Sequence, residues 1–105
     1  MTGLNTITAE QLKRRLDAGE AVLIDIRERD EHAHEHIPEA QLAPLSCFDP
    51  AALPGDRAKI VVFHCKSGMR TSTNAARLAA CGFAAAYVLA GGIEAWKSAG
   101  YAVRR

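Results

Sequence analysis

Apolar residues fall into short continuous segments separated by stretches with helical periodicity. Three of these segments, at residues 21–25, 59–64 and 86–90, have the length of strands and lack the polar alternation of a half-exposed strand. An uninterrupted apolar strand is typical of a sheet that is covered on both faces. The pattern therefore predicts three strands in the interior of a layered domain.

The first helical signal precedes these strands. Thr8 and Gln11 have the spacing of a capping box, Leu12 and Leu16 share one face of the following turns, and Gly19 is a natural stop. These features predict a helix that begins directly after Thr8.

The other elements follow from breakers and periodicity. We expect helical segments at 27–35, 72–81 and 93–99, a short edge strand at 40–45, and a loop with one helical turn at 47–56. Alternating strands and helices predict an α/β fold, with a parallel sheet and helices on both faces. In such a fold the functional site lies beyond the carboxyl ends of the strands.

Composition restricts the classes of protein that the chain can belong to. Its 105 residues are 49% hydrophobic, with 13 basic and 12 acidic side chains, which predicts one domain over residues 1–105 and excludes a strongly basic nucleic-acid binder. The longest uncharged stretch falls short of a membrane span and no signal peptide is evident, so we expect a cytoplasmic protein. Three cysteines without a Cys-x-x-Cys pair argue against a disulfide framework or a zinc ribbon.

Candidate chemistry concentrates in one predicted strand-loop-helix unit. Cys65 falls at the end of the second apolar strand, and Ser72 falls where the next helix is predicted to begin, so the loop between them must turn tightly with its backbone N–H groups inward. The loop also carries Gly68, two cations and two hydroxyls: Lys66, Ser67, Arg70 and Thr71. A thiol beside cations and a helix N-terminus ionises readily, which makes Cys65 a candidate thiolate nucleophile inside an anion site.

Four segments of the chain resemble the rhodanese family of sulfurtransferases. The loop is similar to a Cys-x-x-Gly-x-Arg-Thr motif, residues 25–28 to Asp-Val-Arg-Glu, residues 35–40 to Gly-His-Ile-Pro-Gly-Ala, and residues 91–96 to Gly-Gly-x-x-x-Trp. The similarity extends to single-domain bacterial rhodaneses and to the soluble domain of a membrane-anchored type. Glu35 and Glu39 depart from the pattern, since the family usually has glycine at both positions.

This resemblance implies a three-layer fold with a mostly parallel sheet of about five strands, and a sulfurtransferase that needs no cofactor or metal. It implies that the Cys65 thiolate takes sulfane sulfur from thiosulfate or a persulfide, and that a thiophilic acceptor then removes it: cyanide, or a thiol such as glutathione or a thioredoxin-like protein. By the same resemblance, Lys66, Ser67, Gly68, Met69, Arg70 and Thr71 bind the substrate. Lys66 and Arg70 would hold the sulfonate end.

Two other functions are compatible with the residues of this loop. Cys-dependent phosphatases and arsenate reductases also place Cys and Arg around an anion-binding loop, but with five intervening residues, whereas this chain has four. The shorter loop makes a smaller ring of donors, which suits one sulfur atom better than a phosphate. A non-catalytic rhodanese-like binding module is the other alternative.

Several residues outside the loop carry a functional and a structural interpretation. Asp25 either orients Arg70 or a donor of the loop, or forms a fold-stabilising ion pair or helix cap. His32 and His36 have metal-ligand spacing on a helix, but hydrogen-bonded histidines fit the nearby Pro38 better. Cys47 and Cys81 are either resolving thiols or ordinary loop and core residues.

His64, Met69 and Trp96 are interpreted from their positions. His64 is expected to point away from Cys65, because neighbouring strand residues face opposite sides. Met69 forms an apolar lip of the pocket or is merely exposed, and Trp96 packs the last helix on the sheet.

Overall fold

Five parallel strands form the centre of the protein. A computed structural model describes residues 4–105, and its strands lie in the order β1-β5-β4-β2-β3. All four pairings between neighbours are parallel. The strands are β1 (Asn5–Ile7), β2 (Ala21–Asp25), β3 (Gln41–Leu42), β4 (Ile60–His64) and β5 (Ala85–Leu89).

Helices connect the strands and cover both faces of the sheet, which confirms the predicted layered α/β fold. They are α1 (Ala9–Asp17), α2 (Arg29–His34), α3 (Met69–Thr73), α4 (Ala75–Ala79) and α5 (Gly92–Ser98), and two single 3-10 turns lie between β3 and β4. In the part of the chain that the structure describes, no helix combines the length and the apolar character needed to cross a bilayer.

Each face of the sheet has its own hydrophobic core, because successive strand residues point to opposite sides. Val62 packs with α1 and α5 residues such as Leu12 and Trp96. Its neighbour Phe63 packs on the other face with Leu78 of α4. Both cores are built on β4, which lies in the middle of the sheet, so the residues that follow β4 start from a rigid support.

The predicted strand at residues 21–25 and the capping box of α1 are confirmed. The Gln11 N–H donates to Thr8 Oγ1 over 3.1 Å, and the Thr8 N–H donates to Gln11 Oε1 over 3.0 Å. Trp96 is 1% exposed, and its indole N–H donates to the Ala102 carbonyl, as expected for a residue that anchors the last helix.

The helix predicted at residues 72–81 was placed wrongly. It begins at Met69, because the positive φ of 99° at Gly68 reverses the chain directly before it. It is interrupted at Asn74, whose side-chain amide donates to the Arg70 carbonyl and so competes with the helical hydrogen bonds. As a consequence Arg70 and Thr71 lie in the first turn of α3 rather than in a loop.

The first strand was missed as a separate element. β1 has only three residues, and two of them are exposed, so the segment carries no apolar run. It is a strand because it pairs with β5, which is about eighty residues away in the chain.

Candidate functional site

The loop after β4 lies at the carboxyl edge of the sheet, between β2 and β5. Cys65 follows the last residue of β4, and only Lys66, Ser67 and Gly68 separate it from α3. Of the predicted loop residues, Gly68 and Thr71 contact the Cys65 sulfur, whereas the Arg70 side chain pairs with Glu31 of α2. Lys66 and Ser67 are exposed, whereas Thr71 is fully buried.

The Cys65 sulfur is enclosed by its own loop. The Gly68 N–H donates to Cys65 Sγ over 3.2 Å, and Thr71 Oγ1 lies 4.0 Å from the sulfur. The Thr71 hydroxyl itself donates to the Gly68 carbonyl over 2.9 Å, which closes the turn. Cys65 is 1% exposed, so the surrounding protein covers the residue almost completely.

The N-terminus of α5 fixes the backbone of the loop. The Ile93 N–H donates to the Cys65 carbonyl over 3.0 Å, and the Glu94 N–H donates to the Lys66 carbonyl over 3.1 Å. This close approach requires glycine at position 92, since a Cβ there would lie 2.5 Å from both carbonyl oxygens. Gly92 of the Gly-Gly pair is thus required by the geometry of the cysteine loop, although the pair lies far from that loop along the chain.

Arg70 does not point freely into solvent. Its Nη1 and Nη2 atoms lie 2.7 and 2.8 Å from the two carboxylate oxygens of Glu31 in α2. The Arg70 guanidinium is the main reason why the pKa of Glu31 falls from 4.5 to about 2. The carboxylate that pairs with Arg70 is therefore Glu31, not Asp25, the partner considered from the sequence.

Asp25 forms the fold-stabilising ion pair that was its structural interpretation. Both of its carboxylate oxygens accept hydrogen bonds from the Arg27 side chain, and both residues are buried. Burial acts to raise the pKa of Asp25, but the hydrogen bonds from Arg27 and the nearby His64 hold it below its ordinary value. Arg27 also donates to the Glu35 carbonyl over 2.6 Å and so ties β2 to the end of α2.

His64 is fully buried beneath the loop. Its Nδ1 lies 3.0 Å from the Cys65 carbonyl oxygen, and its Nε2 lies 3.7 Å from Asp25 Oδ2. Burial lowers the pKa of His64, although the neighbouring Asp25 acts to raise it. Because a carbonyl oxygen only accepts hydrogen bonds, Nδ1 carries the hydrogen and donates to it. The ring supports the backbone of the loop and makes no hydrogen bond to the thiol.

Two clefts flank the cysteine loop. One, of about 470 Å³, is lined by Ser67, Gly68, Met69 and Thr71 together with the end of β5. The other, of about 280 Å³, contains Lys66 beside the acidic residues Glu31, Glu35 and Glu94. Met69 is 74% exposed at the rim of the first cleft, so the structure agrees with both of its interpretations, an apolar lip and an exposed side chain.

The remaining candidates lie away from the sulfur. The rings of His32 and His36 stack with centroids 4.2 Å apart, and among residues 4–105 no group of three or more potential ligands is arranged to hold a metal ion. Cys81 is buried in the core and Cys47 is exposed, and both thiols are free. Glu35 and Glu39, which replace family glycines, do not have positive φ angles, so neither position requires glycine.

Comparison with known proteins identifies the family. The rhodanese-like domain family matches residues 8–99 of the chain. A probable adenylyltransferase/sulfurtransferase, MoeZ of Mycobacterium tuberculosis, is 40% identical over 97 residues, which are 88% of this chain and 24% of that protein. A sulfurtransferase of Allochromatium vinosum is 36% identical, over 89% of this chain and 88% of that protein.

Other relatives differ in length and name. The thiosulfate sulfurtransferase GlpE of Coxiella burnetii is 30% identical, over 85% of this chain and 79% of that protein. An uncharacterized protein of Synechocystis is 35% identical over 90% of this chain, which spans only 53% of that protein. The chain therefore spans about half or less of the length of some curated relatives.

Solved structures share the fold. A rhodanese-related protein from Thermoplasma volcanium superposes with a TM-score of 0.80 at 24% identity, over 95% of this chain and 97% of that one. A rhodanese-like domain protein from Staphylococcus aureus superposes with a TM-score of 0.74 at 28% identity, over 89% and 91% of the two chains.

Proposed function

Since the chain belongs to the rhodanese-like domain family, we propose that it is a sulfurtransferase that carries sulfane sulfur on Cys65. The donor is thiosulfate or a persulfide, and the acceptor is cyanide or a thiol. The supporting observation is the position of the Cys65 sulfur, which accepts the Gly68 N–H at the carboxyl edge of the central strand. The sulfurtransferase names of relatives that align over most of their own length support the same reaction class.

The first half-reaction loads the enzyme. The Cys65 thiolate attacks the outer sulfur of thiosulfate, a new S–S bond forms, and the S–S bond of thiosulfate breaks with its electron pair leaving on sulfite. The Gly68 N–H supports negative charge on the attacking sulfur. A backbone donor held in place needs no reorganisation during the reaction.

The second half-reaction unloads it. A thiophilic acceptor attacks the terminal sulfur of the Cys65 persulfide, and the Cys65 thiolate leaves with the electron pair of the broken S–S bond. Because the persulfide is a covalent intermediate between two separate substrates, the kinetics should be ping-pong.

The other loop residues serve the donor in different ways in this proposal. Lys66 and Arg70 attract the sulfonate, and the exposed Ser67 supplies a hydroxyl. The buried Thr71 hydroxyl donates to the Gly68 carbonyl, so Thr71 contributes by closing the turn around the sulfur. Gly68 and the exposed Met69 shape the larger cleft, through which the acceptor approaches.

A steady-state assay tests the reaction class. Purified protein supplied with thiosulfate and cyanide should produce thiocyanate, with parallel double-reciprocal lines as each substrate is varied. Cys65→Ser should abolish the product, whereas the exposed-thiol control Cys47→Ser should retain it. Rapid hydrolysis of an aryl phosphate without thiocyanate formation would overturn the proposal in favour of a phosphatase, and no turnover of either substrate would favour a binding module.

A further inference from the structure

One of the two cations proposed to bind the donor is already paired with a carboxylate. Arg70 and Glu31 form a two-pronged contact in which each guanidinium nitrogen faces a separate oxygen, at 2.7 and 2.8 Å. Such planar pairing is the strongest common arrangement of these groups. A donor sulfonate that binds Arg70 must therefore share it with Glu31 or displace Glu31.

Glu31 is held in place independently of Arg70. Its Oε1 also accepts the backbone N–H of Glu28 over 3.0 Å, at the beginning of α2. Glu28 is in turn tied to the chain between β3 and β4, because the Ser46 hydroxyl donates to its carboxylate over 2.6 Å. The carboxylate thus faces Arg70 from a fixed position, and it also lines the cleft that contains Lys66, the other cation of the proposed anion site.

The cleft that contains the second cation, Lys66, carries charges of both signs. Its other charged side chains are the carboxylates Glu31, Glu35 and Glu94 and the cations Arg27 and Lys97, so positive and negative groups are equal in number there. Two positive charges in the loop therefore do not amount to a strongly positive site. A donor with two negative charges gains less there than the sequence of the loop alone suggests.

We infer that Glu31 is a specificity-determining positioning residue, which acts through Arg70 and disfavours doubly charged sulfur donors relative to singly charged ones. The inference rests on the proposed sulfur transfer and deepens it. Glu31 does not touch the reacting sulfur; it sets how much of the Arg70 charge and which of its N–H groups are available to the donor.

A matched pair of donors isolates this effect. Thiosulfate is a dianion, and methanethiosulfonate is the same S–S unit with one oxyanion replaced by a methyl group. With thiosulfate, the attack of the Cys65 thiolate releases sulfite. With methanethiosulfonate it releases methanesulfinate, and in both cases the electron pair of the broken S–S bond leaves with the departing group. The ratio of kcat/KM for the two donors therefore measures how strongly the protein favours or disfavours the second negative charge of thiosulfate.

The test variant is Glu31→Gln, which keeps one oxygen for the Glu28 N–H and Arg70 Nη1, removes the negative charge and replaces the second acceptor oxygen with an amide NH2. It should raise the thiosulfate-to-methanethiosulfonate ratio by about three- to tenfold, mostly through a lower KM for thiosulfate, since one unfavourable charge interaction is removed. Glu31→Asp, which retains the charge, should give a ratio close to that of the parent protein. An unchanged or lower ratio in Glu31→Gln would overturn the inference.

Glu20→Gln provides the matched control. Glu20 is also paired with an arginine, Arg15, at 3.5 Å, but it precedes β2 and so lies at the opposite edge of the sheet. Its substitution should leave the ratio unchanged; an equal rise would mean that net charge, not Glu31, sets the preference. If Glu31→Gln unfolds, Glu31→Ser serves in its place, with the same expected rise and the same contrary result.

The inference and the proposed function can fail separately. If neither donor loads Cys65 in the parent protein, sulfur transfer is wrong. If both donors load Cys65 and the ratio is insensitive to Glu31, sulfur transfer stands and the role of Glu31 is wrong.

Discussion

Substitution of Gly92 by alanine tests whether α5 holds the cysteine loop in its reactive shape. A Cβ at this position would lie 2.5 Å from the carbonyl oxygens of Cys65 and Lys66, whereas real Cβ contacts essentially never fall below 3.0 Å. The loop must therefore retreat by at least 0.5 Å, the difference between these two distances. The φ of +60° at Gly92 adds strain for any residue with a Cβ.

The expected magnitude follows from these two contributions. The left-handed conformation costs about 1–2 kcal/mol. Displacing the loop also weakens the hydrogen bonds from Ile93 and Glu94 to its carbonyls, at about 0.5–1.5 kcal/mol each. The free energy of unfolding should thus fall by about 2–5 kcal/mol, and misplacement of Cys65 should lower kcat/KM by about tenfold or more.

Gly100→Ala is the matched control. Gly100 also has a positive φ, of +86°, but a Cβ there would meet nothing within 4 Å. Gly100→Ala should lower the free energy of unfolding only by the conformational strain, about 1–2 kcal/mol, and should leave kcat/KM within about twofold of the parent value. Urea unfolding followed by circular dichroism and the thiocyanate assay measure both quantities. Equal losses in the two variants would refute the claim that α5 clamps the loop.

Two further predictions concern the ion pairs. Asp25→Asn leaves the buried Arg27 without its carboxylate and should lower the free energy of unfolding by about 3–5 kcal/mol. Asp17→Asn, at an exposed pair with Lys13, should lower it far less, and similar losses in urea titrations would contradict the difference. The pKa of Glu31 is about 2 in the folded protein against 4.5 as its ordinary value, so its stabilisation is complete above pH 4.5 and is lost as the pH falls toward 2. Urea unfolding as a function of pH should therefore show a shallower acid decline for Glu31→Gln than for the parent, and identical declines would contradict the pairing.

The buried strands and the reactive loop follow from local sequence. The apolar run that forms β2 and the capping box of α1 depend on adjacent residues, and both formed as predicted. Cys65 was singled out as a candidate because the end of a buried strand, a glycine and an arginine occur within six residues.

The parts that sequence analysis missed depend on contacts between distant residues. β1 is a strand only because β5 pairs with it. Glu31 faces Arg70 across 39 positions of the chain, and no local signal distinguishes it from the other acidic residues of a polar helix. The start of α3 was misplaced because Ser72 has the residue type of a helix cap, whereas the positive φ of Gly68 begins the helix three residues earlier.

The central claim is that Cys65 accepts a sulfur atom from a small donor. Mass spectrometry of the intact protein after treatment with thiosulfate and removal of excess donor measures this directly, with peptide mapping to locate the modification. We expect one added sulfur atom on the parent protein and on Cys47→Ser, located on Cys65, and none on Cys65→Ser. The absence of added sulfur on the parent, or equal addition on Cys65→Ser, would contradict the account.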